Sequence, residues 1–100
     1  MRGRVAEQLV RTRLFGPKLR LRVDLHGVSV FGPGDERTLI RWEWIREVSC
    51  GDGVVVRSDS AEVHLPSGAF GMDAEELAHH LEEARSIERR PEVIASLAGS

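Results

Sequence analysis

The stretch Leu19-Arg20-Leu21-Arg22-Val23-Asp24-Leu25-His26-Gly27-Val28-Ser29-Val30-Phe31 carries the clearest regular pattern in the chain. Leu19, Leu21, Val23 and Leu25 alternate with Arg20, Arg22 and Asp24. A period of two belongs to a strand with one face in a core and the other in water. His26-Gly27 supplies a tight turn, and Val28 to Phe31 returns as the partner strand of a hairpin.

Working toward the C-terminus, the same logic repeats. Gly32-Pro33-Gly34-Asp35 is a second turn cluster, and Arg37-Thr38-Leu39-Ile40-Arg41 reads as a third strand. Trp42-Glu43-Trp44-Ile45 is dense in bulky groups and leads into Val48-Ser49-Cys50. Gly51-Asp52-Gly53 turns the chain into Val54-Val55-Val56-Arg57, and Asp59-Ser60 turns it into the alternating strand Ala61 to Leu65. Short strands with turns every eight to twelve residues describe a compact antiparallel sandwich or barrel.

At Met72 the period changes. Asp73 suits an N-cap, with Glu76 three residues on as the capping-box partner and Met72 and Leu77 as a hydrophobic staple. Leu77, Leu81, Ala84 and Ile87 fall on one stripe, so a capping helix is expected over about residues 73–89. Pro91 then opens a C-terminal turn or tail, residues 91–100, able to bury Val93, Ile94 and Leu97.

Toward the N-terminus the pattern is weaker. Val5, Ala6, Leu9, Val10, Leu14 and Phe15 are spaced as on one face of a helix, and Phe15-Gly16-Pro17 reads as its stop. The β-branched Val10 and Thr12 keep a strand as the alternative. Either way, residues 1–17 are expected to belong to the same domain as the core at 18–90.

Charge separates along the chain. Residues 1–22 hold seven bases against the single acid Glu7, a net of +6. The other 78 residues hold seven bases and fifteen acids, a net of −8. The overall value of −2, with 41% apolar residues, excludes a disordered chain and a protein that coats nucleic acid. No run of about 18 apolar residues is present to cross a membrane. Met1-Arg2-Gly3-Arg4 is not followed by the apolar stretch of a secretory signal. A single cysteine, Cys50, can form neither an internal disulfide nor a thiolate cage. A cytoplasmic domain is the expectation.

The order of these features resembles bacterial pleckstrin-homology-like (PH-like) domains, particularly those in short actinobacterial-type proteins. The resemblance rests on the opening strand and Gly turn at residues 19–28, on Ile40-x-Trp42-x-x-Ile45-x-x-Val48, and on Val63-x-Leu65-Pro66-x-x-Ala69-Phe70 directly before the helix. It implies an α+β, mainly β, fold: a bent antiparallel barrel or sandwich of six to seven strands capped by a C-terminal helix. It also implies that Trp42 is a core residue beside Ile40 and Ile45, and that the protein is an adaptor. Phosphoinositide-binding members of that superfamily use bases around the first hairpin. Here Lys18, Arg20 and Arg22 form a row near that region, with Asp24 and His26 on the turn side.

Residues that could carry other chemistry have plainer readings. His79 and His80 are adjacent on a helix, about 100° apart, and not a ligand pair at i and i+4. Glu75–His79 and His79–Glu83 have helical spacing, but two ligands do not specify a metal. His26 and His64 read as surface imidazoles. Cys50 reads as a small residue at a strand end, with no base beside it. Gly32-Pro33-Gly34 and Gly51-Asp52-Gly53 lack the Lys-Ser/Thr of a phosphate loop. With five aromatic residues in 100, a stacking platform for nucleic acid is not expected.

The expectation is therefore a non-enzymatic interaction module, without cofactor, metal or small-molecule substrate, that binds a protein partner or itself. The alternative is peripheral attachment to anionic lipid headgroups. Candidate contact residues are Arg11, Arg13, Lys18, Arg20 and Arg22, with Trp44 as an indole anchor.

Overall fold

The computed structural model describes residues 5–11, 18–32, 34 and 36–99. Seven strands follow one another: β1 (Val5–Arg11), β2 (Lys18–Asp24), β3 (Gly27–Phe31), β4 (Arg37–Arg41), β5 (Glu47–Cys50), β6 (Gly53–Arg57) and β7 (Glu62–Pro66). They form two antiparallel sheets, β1-β2-β3-β4 and β5-β6-β7, followed by α1 (Ala74–Ala84) and α2 (Arg90–Ala98). The fold is α+β and mainly strand. Among the described residues no ladder joins the two sheets, so the arrangement is two sheets sharing one core, and the barrel alternative is not closed by hydrogen bonds.

The core follows from the pairing. Ala6 lies opposite Val23, Leu21 opposite Val30, and Val28 opposite both Val23 and Ile40. Ala6, Leu21, Val23, Val28 and Ile40 are buried together with Val54, Val56, Val63 and Leu65 from the second sheet. Gly27 is required where β3 meets β4, because a Cβ there would lie 2.2 Å from the carbonyl oxygen of Ile40.

Residues 5–11 are strand, correcting the helical expectation for the start of the chain. The register explains the misleading pattern. Ala6 and Val10 face the core, whereas Leu9 is 60% exposed on the opposite face. Gln8 occupies the core side between them and accepts a hydrogen bond from the backbone N–H of Phe70. Phe70 itself has a left-handed backbone conformation (φ 58°). A polar residue inside and a leucine outside erased the alternation. The proposed stop at Phe15-Gly16-Pro17 lies outside the described residues.

Trp42 is buried, and its indole Nε1 donates to the carbonyl oxygen of Asp24 at 2.8 Å, tying the end of β4 to the end of β2. The segment Trp42–Trp44 is a 3-10 turn, so the two indoles do not share a strand face. Trp42 points into the core and Trp44 is 53% exposed.

At the C-terminus, Asp73 caps α1 by accepting from the N–H of Glu76 at 2.8 Å. Leu77, Leu81 and Ala84 are buried against β5 and β6. The helix ends at Ala84 and not near residue 89, and Ile87 is 75% exposed. A continuous helix would bring the ring of Pro91 against the carbonyl of Ile87. Instead the chain turns, and the tail is a second helix. α2 places Pro91 in its first turn and buries Val93, Ile94 and Leu97, packing on β1 and α1. The cap is thus two helices where one was expected. No described helix is long and apolar enough to cross a membrane.

Candidate interaction face

The outward side of the four-stranded sheet is built by strand alternation. Because Leu21 and Val23 point inward, Lys18, Arg20 and Arg22 point outward. Cross-strand register sets Leu9, Arg20, Phe31 and Arg37 in one row across β1, β2, β3 and β4. The Cζ atoms of Arg20 and Arg37 lie 5.7 and 5.3 Å from the centre of the Phe31 ring. Both distances are within the range of cation–π attraction. Lys18 stands two residues beyond Arg20 on the same strand face. Leu9, Lys18, Arg20, Phe31, Gly32 and Gly34 line a shallow cavity of about 320 Å³ there.

The electrostatics divide the expected basic row. Arg22 has its Nε 3.3 Å from Asp24 Oδ2 and 3.6 Å from Glu7 Oε2, so two carboxylates offset its charge. Among the described residues, no carboxylate lies within ion-pair distance of Lys18, Arg20 or Arg37. The nearby Glu36 folds its carboxylate over Gly32. Elsewhere the arginines meet acids of their own domain. Arg57 sits between Glu47 and Glu62, Arg46 pairs with Asp59, Arg85 with Glu82, and Arg89 with Glu83 and Glu92. One member of the expected row, Arg22, is therefore neutralised, while Lys18 and Arg20 are joined by Arg37.

The chain matches no protein-family model, no curated protein and no solved structure.

Of the residues singled out from the sequence, Lys18 and Arg20 come together in this face. Arg22 adjoins them but is paired. Arg11 closes β1 opposite Lys18, and Arg13 lies outside the described residues. Trp44 is elsewhere, on the rim of a larger cavity of about 550 Å³ that Arg46, Ser58, Asp59 and Ser60 also line. Arg46 closes that rim with a bidentate pair to Asp59, both bonds at 2.9 Å. The hydrogen bonds and then the charge of Arg46 hold the Asp59 carboxyl below the ordinary aspartate range. Arg41 stacks on Trp44 at 5.7 Å and pairs with Glu43 at 3.3 Å.

Arg37 and Phe31 escaped the sequence reading. Their signal was present in the hairpin after Phe31. Pairing residues 28–31 with residues 37–40 across the Gly-Pro-Gly turn puts Arg37 beside Phe31. That inference requires the register, which the turn length alone left open.

The remaining reactive side chains are not assembled. Cys50 pairs with Val54, which in turn pairs with Leu65, whereas His64 belongs to the neighbouring row with Ser49 and Val55. The two therefore project to opposite faces. His26 lies in the β2–β3 turn, where Asp24 accepts from the N–H groups of His26 and Gly27. No group of three His, Cys, Asp or Glu among the described residues is arranged to hold a metal.

Proposed function

We propose that this chain is a non-enzymatic PH-like interaction module that docks an acidic protein segment on the outward face of its four-stranded sheet. The observation that carries the reading is the cluster Lys18, Arg20 and Arg37. These cations lack a carboxylate partner among the described residues, while most other arginines on the body are paired. Arg20 and Arg37 flank an aromatic ring and the cluster stands beside an exposed leucine, the combination of charge and apolar area that protein partners use. Support for the PH-like assignment is the order of elements: four antiparallel strands, three antiparallel strands, then a helical cap. Composition and the lone cysteine support a cytoplasmic setting.

A protein segment fits this face better than a lipid headgroup. Arg20 and Arg37 stand on strands two apart, about 9.6 Å between backbones. Their guanidinium groups lie against an aromatic ring, and toward the first turn Asp24 and Glu7 offset Arg22, so the face combines charge with apolar area. Binding to poly-L-glutamate, followed by fluorescence anisotropy at low and high salt, tests the reading. Wild-type protein is expected to bind in a salt-sensitive manner, and an R20Q/R37Q variant to bind at least about tenfold more weakly. Equal binding by the two proteins would refute the face. Binding confined to phosphatidylserine vesicles would replace the protein segment with a membrane surface.

A further inference from the structure

Resting on that reading, we infer that the acidic segment is helix α1 of a second copy of this chain. The two surfaces match in order, spacing and sign. The basic row reads Leu9, Arg20, Phe31, Arg37: apolar, cation, aromatic, cation. The outward stripe of α1, followed from its C-terminal end toward its start, reads Glu82, His79, Glu75: anion, imidazole, anion, facing cation, aromatic, cation.

The separations agree. Arg20 and Arg37 are two strand spacings apart, about 9.6 Å. Glu75 and Glu82 are seven residues apart in one helix, about 10.5 Å. An extended segment would place same-side carboxylates about 6.8 or about 13.6 Å apart, and neither matches. Side chains at i, i+4 and i+7 share a helix face, so His79 lies between the two glutamates as Phe31 lies between the two arginines.

Both surfaces are open. Glu75, His79 and Glu82 are exposed, as are Arg20 and Arg37. Glu75 has no cation within ion-pair distance among the described residues. Glu82 meets only Arg85, at 3.3 Å across an exposed pair of the kind that contributes little. Leu9, 60% exposed, extends the basic row at one end as apolar surface open to a partner.

Sedimentation velocity over a range of protein concentrations, at about 50 mM and about 500 mM salt, tests the inference. The wild-type sedimentation coefficient is expected to rise with concentration at low salt and to return to the monomer value at high salt. R20E/R37E carries acids on both surfaces and E75R/E82R carries bases on both, so each alone should be monomeric. Mixed in equal amounts they should associate, because each then meets an opposite charge. Circular dichroism of each variant establishes that it is folded.

A wild-type protein that stays monomeric throughout would overturn the inference. So would a mixture of two folded variants that stays monomeric, or a variant that associates on its own like wild type. Poly-L-glutamate binding separates the two levels. If wild type is monomeric yet binds poly-L-glutamate through Arg20 and Arg37, self-association falls and the acidic-segment reading stands. If neither occurs, both fall.

Discussion

Arg90 shows how much one side chain can hold in place. Its guanidinium lies 5.1 Å over the Trp42 ring and donates to the carbonyl oxygens of Ala84 and Arg85 at 2.8 and 3.1 Å. Those carbonyls end α1 and have no continuing turn to satisfy them. Burial, opposed by the charge of Glu43, lowers the pKa of Arg90 from its ordinary value, yet the group remains charged. Arg90→Ala should cost about 2 kcal/mol in urea unfolding, from two charged hydrogen bonds and a ring contact. A loss no larger than that of an exposed alanine substitution would show that the staple is dispensable. Asp59 is the residue-scale pH probe. Its folded pKa is depressed, so the Arg46 pair stabilises the protein above the ordinary aspartate range and ceases to do so as pH falls through the depressed value. The stability difference between wild type and R46Q should therefore close in acid, and a carbon-13 titration should show the Asp59 carboxyl of R46Q back in the ordinary range. The cap at Asp73 was legible from four letters of sequence. Arg90 was not, because its partners lie five and six residues back and across the core at position 42.

At the scale of elements, the strands of the first hairpin were legible because water and core impose opposite demands on alternate residues. Strand β1 was not, since Gln8 faces inward and Leu9 outward. Gln8 is tolerated there because Phe70, sixty-two residues later, supplies a donor. The helical cap was half legible. Leu77, Leu81 and Ala84 marked the buried stripe of α1, but Ile87 continued the pattern past the true end. Pro91 carried the information needed to divide the cap, being compatible with a first turn and incompatible with a helix interior. Leu81 lies under the helix against the second sheet. Leu81→Ala should lower unfolding free energy by roughly 2–5 kcal/mol, the cost of removing a buried leucine and leaving a cavity. A change below about half a kcal/mol would mean that α1 does not seal the core.

For the whole molecule, the relevant quantity is how charge is distributed after folding. The sequence divides into a +6 segment and a −8 remainder, and folding reassigns both. Arg22 turns to Glu7 and Asp24, and much of the acidic remainder is offset by its own arginines. A basic-aromatic row on one sheet and an acidic stripe on α1 are left exposed. Strand alternation, the turns and the N-cap of α1 were written in the chain, because each depends on neighbours within a few residues, and the total charge is a plain sum over composition. The strand identity of residues 5–11 and the union of Arg37 with Arg20 around Phe31 were settled by the folded arrangement. Those outcomes depend on cross-strand register and on partners far away in the chain. Exposed charges are screened beyond about 8–10 Å and form ion pairs only when folding brings them into contact, so which cations stay free is settled only when the sheet brings distant residues side by side.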